Sequence, residues 1–85
     1  MNKNTKIEGR YANYFKVGYN AFEFLIDFSQ IYSENEEVQL HSRIVTNPIY
    51  AKALLHTLSK SIAQYEKIYG CIEKENGQEK SVNND

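Results

Sequence analysis

Residues 11–28 read YANYFKVGYNAFEFLIDF and hold seven aromatic side chains in eighteen positions. From Phe22 to Phe28 the alternation is strict. Phe22, Phe24, Ile26 and Phe28 share one face while Glu23, Leu25 and Asp27 share the reverse, the period-2 pattern of a half-buried strand. The preceding segment reads as a second strand, with Tyr11, Asn13, Phe15, Val17 and Tyr19 on one side and Ala12, Tyr14, Lys16 and Gly18 on the other. Gly18 to Ala21 offers Gly and Asn, the residues that tolerate positive φ, and is the expected hairpin connection. An antiparallel sheet commonly buries one face, so Phe22, Phe24 and Phe28 are expected in the core.

Toward the C-terminus, SQIYSENEEV (29–38) is polar and reads as a loop or frayed strand end. A third strand follows, with Val38, Leu40, Ser42 and Ile44 on one face and Gln39, His41, Arg43 and Val45 on the other. TNPIYAKALLHTLSKSIAQYEKIYG (46–70) is a helix with both ends marked. Asn47 suits the N-cap and Pro48 the first turn, where its missing N–H costs nothing. Gly70 suits the left-handed position that ends a helix. Between them Ala51, Leu54, Leu55, Leu58, Ile62, Tyr65 and Tyr69 form one apolar stripe. Lys52, His56, Lys60, Gln64 and Lys67 lie off it.

These readings predict an α+β chain: an antiparallel three- to four-stranded sheet followed by one long C-terminal helix packed on one face. Residues 1–9 are expected as a flexible N-terminal segment, 10–71 as a single β-β-β-α domain and 72–85 as a disordered polar tail. A chain of 85 residues is small, and domains of this size usually need a disulfide, a metal or a partner to supplement a thin core. One cysteine, Cys71, precludes an internal disulfide, and His41, His56 and Cys71 are too few and too scattered for a thiolate zinc site. No metal or cofactor is expected. A homodimer is, since one helix covers one sheet face and leaves edges open.

No secretory signal or membrane-spanning run is present, so a cytoplasmic protein is expected. Net charge is −1, and a chain this balanced lacks the basic excess typical of non-specific nucleic-acid or membrane binding.

The segments GRYANYFKVGYNAFEFLIDFSQ and HSRIVTNPIYAKALLHTLSKSIAQYEKIYG resemble the domain-of-unknown-function family 3467, small bacterial and archaeal proteins. The resemblance runs from Gly9 to Gly70. It is carried by an aromatic strand, an N-x-x-E-F-x-x-D-F strand (Asn20, Glu23, Phe24, Asp27, Phe28), an R-I-V strand end at Arg43 and a P-x-x-A-K-x-L helix start (Pro48, Ala51, Lys52, Leu55) with Tyr65 beyond. It implies a fold and brings no activity. The order of strands and helix is also similar, in architecture only, to the PUR and Whirly single-strand-binding proteins.

No Gly-rich phosphate loop, nucleophile elbow or metal-binding motif occurs. Glu23 and Asp27 are separated by about 13 Å of strand rise, too far for an acid–base dyad. Asp27 is instead expected to form a structural ion pair with Arg43 at a dimer seam. Tyr14, Lys16, His41 and Arg43 are the candidate partner surface, an aromatic among basic residues. Such a surface serves a protein interface or, alternatively, base stacking on single-stranded nucleic acid. The function expected is a non-enzymatic, dimeric binding module acting on a protein, with nucleic-acid binding as the alternative.

Overall fold

The computed structural model describes residues 6–33 and 37–74. Strands β1 (Tyr14–Tyr19), β2 (Phe24–Tyr32) and β3 (Glu37–Thr46) precede one helix, α1 (Pro48–Tyr69). The strands form an antiparallel sheet in the order β1-β2-β3, so β2 is central and both outer strands are edges within the described chain. The chain divides between Lys52 and Ala53 into two compact units, one holding the sheet and the other most of α1. The expected flexible segments fall partly on 1–5 and 75–85, outside the described residues; residues 6–9 and 72–74 have no regular secondary structure.

The hairpin turn lies two residues later than its sequence suggests. Gly18 is an ordinary strand residue opposite Leu25, and Tyr19 opposite Phe24 is the last pair. Asn20 makes the turn: its Oδ1 accepts the amides of Phe22 (2.8 Å) and Glu23 (2.9 Å), and its own amide donates to the Glu23 carbonyl (3.0 Å). A side chain that satisfies two turn amides removes the need for a positive-φ glycine. Phe22 is therefore a turn residue, 80% exposed, and not the start of a strand or part of a core.

Of the polar stretch expected as a loop or frayed strand end, Ser29–Tyr32 and Glu37–Val38 are paired strand and residues 34–36 lie outside the described residues. Gln30, Ile31 and Tyr32 oppose Gln39, Val38 and Glu37 on β3. On the other flank the Asn13 amide donates to the Ser29 carbonyl, and the Asn13 side chain accepts from the Ile31 amide (2.8 Å) while facing its carbonyl (3.4 Å). A carboxamide here stands in for the next peptide of β1 and prolongs the ladder.

A bulge in β3 decides which side chains share a face. Phe28 opposes Ser42 but Ser29 opposes Leu40, leaving His41 as the extra residue. Partners across an antiparallel ladder share a face, so Val38 and Leu40 lie with Ile31 and Ser29, while Ile44 and Ser42 lie with Ile26 and Phe28. The single apolar row expected from Val38 to Ile44 is split between faces, since one inserted residue reverses every side chain before it.

One face thus carries Phe15, Val17, Tyr19, Phe24, Ile26, Phe28, Ser42, Ile44 and Thr46, and beyond the bulge Gln30, Tyr32, Gln39 and Glu37; its aromatic end is called the aromatic face below. Cross-strand rings pair on it, Phe15 edge-on to Phe28 (5.7 Å, 89°) and Tyr19 stacked on Phe24 (5.6 Å, 29°). Phe24 and Phe28 are half-buried and not enclosed in a core. Among the described residues no apolar side chain is buried; the two buried residues, Asp27 (9% exposed) and Ser29 (4%), are polar and sit on the central strand.

Helix α1 follows its expected bounds. Asn47 Oδ1 accepts the Tyr50 amide (2.8 Å), satisfying an orphan donor of the first turn, and its carbonyl accepts the Ala51 amide (2.9 Å) as the first helical bond. At the other end Gly70 has φ 101° and donates to the Glu66 carbonyl (3.0 Å), and the Glu66 carboxylate accepts the Ile72 amide (3.0 Å). Asn47→Ala removes the cap and is expected to cost about 1 kcal/mol of stability in urea unfolding followed by circular dichroism.

Candidate partner surface

The reverse of the aromatic face is organised around Asp27. In the ladder it lies opposite Lys16 on β1 and Arg43 on β3, which places one carboxylate between two cations. Arg43 closes on it as a fork, Nε donating to Oδ1 at 2.7 Å and Nη2 to Oδ2 at 2.9 Å. Bidentate charge-assisted pairs are among the stronger hydrogen bonds in proteins. The Arg43 bonds hold the Asp27 carboxyl below the usual carboxylate range; partial desolvation opposes this, and the charges of Arg43 and then Lys16 add to the lowering. The same carboxylate raises Arg43 above the usual guanidinium value. Asp27 is nearly enclosed while the Arg43 side chain is 54% exposed, so arginine screens an aspartate that could not reach water freely.

An aspartate held ionised and doubly bonded in this way is a poor proton donor or acceptor near neutral pH. Glu23 lies in the turn and not on the strand, so the two carboxylates do not form a pair. Around Asp27 the face carries Tyr14 opposite Ser29 and Leu25 opposite Val45, with Leu40 and Val38 added by the bulge. It is a mixed surface of aliphatic and aromatic groups around one neutralised ion pair.

Of the four residues expected to share a surface, Tyr14, Lys16 and Arg43 lie on this face and His41 does not. The bulge turns His41 toward the other side, where Nε2 meets Gln30 Oε1 at 3.2 Å and Nδ1 meets Arg10 Nη2 at 2.8 Å. Arginine can only donate, so Nδ1 is the acceptor and Nε2 carries the proton given to Gln30. Tyr32 extends the network, its hydroxyl donating toward Gln30 (3.3 Å) and Gln39 (3.4 Å). This network borders a shallow depression of about 270 Å³, lined by Glu8, Arg10, Ala12, Phe28, His41, Ser42 and Ile44. Nothing in the local sequence of Arg10 or Gln30 signals the network, because it exists only through the bulge.

Within α1, taken by itself, the apolar stripe of Leu54, Leu55, Leu58, Ile62, Tyr65 and Tyr69 is exposed along its length. Tyr65 and Tyr69, one turn apart, place their rings 4.8 Å apart. Cys71 is an exposed free thiol. Among the described residues no group of three or more His, Cys, Asp or Glu side chains is placed to hold a metal ion.

The three-stranded antiparallel sheet followed by one long helix defines a small α+β protein of β-β-β-α order. The chain belongs to the family described as protein of unknown function (DUF3467), whose model matches residues 2–74. No curated protein and no solved structure matches it. Several residues that carry the family resemblance have structural tasks in this chain. Asn20 closes the hairpin, Asp27 and Arg43 form the fork, and Pro48 opens the helix. Among the described residues no helix is long and apolar enough to cross a membrane.

Proposed function

We propose that this chain is a non-enzymatic homodimeric module that acts by binding a protein. One observation carries the reading: among the described residues no apolar side chain is buried, yet the sheet presents an aromatic row from Phe15 and Phe24 to Ile44 and α1 an apolar stripe. Apolar surface removed from water contributes roughly 25 cal/mol per Å², and exposed contiguous patches of this kind mark association sites. A partner surface is the natural place for that burial in so small a chain.

The same geometry weighs against a stacking platform for nucleic acid. His41 faces away from Tyr14, and Arg43 has its fork committed to Asp27, which leaves Lys16 as the cation of that set without a bidentate carboxylate partner. Phosphate tracking needs several uncommitted cations. The absence of enzymatic activity is supported by the engagement of both His41 ring nitrogens and by the ionised, screened state of Asp27.

Light scattering at micromolar concentration is expected to give about twice the 9.9 kDa chain mass, and fluorescent single-stranded DNA and RNA oligomers are expected not to bind saturably even at low salt. A monomer would remove the dimer from the proposal. Saturable, salt-dependent oligomer binding weakened by Tyr14→Ala would replace the protein partner with nucleic acid.

A further inference from the structure

We propose that residues 8–12 form a strap against one end of the aromatic face, latched by Arg10 to neutral His41 and released when His41 takes a second proton. Every contact that supports the strap lies within the sheet unit. Its consequence for association rests on the dimeric reading above.

The strap has two side-chain attachments to the sheet. At Asn13 the backbone amide donates to the Ser29 carbonyl, and the carboxamide accepts from the Ile31 amide at 2.8 Å. Three residues earlier, Arg10 Nη2 meets His41 Nδ1 at 2.8 Å across 31 residues of sequence. Between strap and sheet lies the depression of about 270 Å³, where Glu8, Arg10 and Ala12 meet Phe28, His41 and Ile44. The strap thus shields the end of the aromatic row at which Phe28 and Ile44 sit.

The latch works in one protonation state only. A neutral imidazole has one donor and one acceptor nitrogen, and a charged one has two donors. Nε2 gives its proton to Gln30 Oε1 at 3.2 Å, so Nδ1 supplies the lone pair that receives Arg10. A second proton turns Nδ1 into a donor facing a donor, with two cations at hydrogen-bond distance. The bond to Gln30 survives this change, so protonation removes the strap's attachment and leaves the ladder intact.

No other charged group takes over the contact. From β2, Gln30 and Tyr32 face the ring side and are neutral. On β3, Gln39 and then Glu37 follow beyond the bulge. Glu8 lines the depression as part of the strap and leaves with it. Asp27 and Arg43 are closed on each other on the opposite face. Imidazoles change charge between about pH 5 and 8, a window above the one in which the Asp27 carboxylate is lost. The proton binds the open strap and is excluded from the latched one, so acid shifts the population toward the open form. Opening adds the flanks of Phe28 and Ile44 to the apolar surface available for association.

The test is the heteronuclear NOE of the amides of residues 8–12 in the full chain at about pH 7.5 and about pH 5.5. It is expected to be high at the upper value and to fall at the lower, with a midpoint that follows the ring protons of His41 and not those of His56. His41→Gln, which cannot take a proton, is expected to lose the response, and Arg10→Ala to give a low value at both. A wild-type NOE independent of pH would overturn the latch, as would a full response in either variant. Sedimentation velocity on the same samples reads the consequence, a dimer dissociation constant several-fold lower at about pH 5.5 in wild type and unchanged in His41→Gln. A strap that opens while the dissociation constant stays fixed would overturn its control of association. A monomer at both pH values would overturn the dimeric reading, and the NOE would still decide the latch.

Discussion

Ile26→Asp is expected to weaken self-association by about a hundredfold or more, equivalent to roughly 3 kcal/mol or more. Ile26 occupies the centre of the aromatic face, opposite Val17 on one strand and Ile44 on the other, with Phe24 and Phe28 two residues to either side. No cation lies among these neighbours to neutralise a carboxylate. Covering it with apolar surface would strip its hydration without replacement, and an isolated charge in such a place is among the costliest substitutions a protein can carry. The change leaves every backbone hydrogen bond of the ladder in place. Sedimentation velocity across a concentration series reads the outcome, with Lys60→Asp as the control, since Lys60 lies off the helix stripe. Retention of the dimer by Ile26→Asp would remove the aromatic face from the interface.

Arg43→Leu is the second large effect, and its sign depends on whether Asp27 remains. With arginine gone, a carboxylate that is 9% exposed keeps only the attraction of Lys16. Breaking a pair by removing one partner destabilises strongly, whereas replacing both partners is often neutral. The urea midpoint of Arg43→Leu is therefore expected to fall well below wild type at pH 7. The double variant Asp27→Asn, Arg43→Leu is expected to recover most of the loss. The Asp27 carboxyl sits below its ordinary value when folded, so the fork's contribution is fully present above about pH 4 and is lost as pH falls through the folded value. Arg43 stays charged throughout this window. Wild type and Arg43→Leu should then converge in stability as the pH falls below about 4 and through the lowered Asp27 value, and a gap of constant size throughout that fall would show that Arg43 acts through packing instead.

The Asp27–Arg43 pair was legible because alternation places Asp27 on the reverse face, where Arg43 on the next strand comes within cross-strand reach; Lys16 lies opposite on the other strand. The position of His41 was not. Its partners Arg10 and Gln30 lie 31 and 11 residues away, and the side it faces depends on the bulge between Phe28 and Ser29. The hairpin was misplaced for a related reason, since the sequence offers Gly18 and Asn20 equally and only the ladder shows that the asparagine side chain does the turning.

By itself the sequence determined the order of strands and helix, the helix bounds at Pro48 and Tyr69, the aromatic row from Phe24 to Phe28 and membership of the family. These follow from short-range causes: period-2 and period-3.6 patterning, a capping side chain and a left-handed glycine, all readable within a few residues. Tertiary structure decided the register of β3, the extension of β2 past Ser29, the separation of His41 from Arg43 and the fact that no apolar side chain among the described residues is buried. Those depend on which backbone pairs with which across the chain, and one inserted residue on one strand reverses faces without leaving a mark in the local pattern.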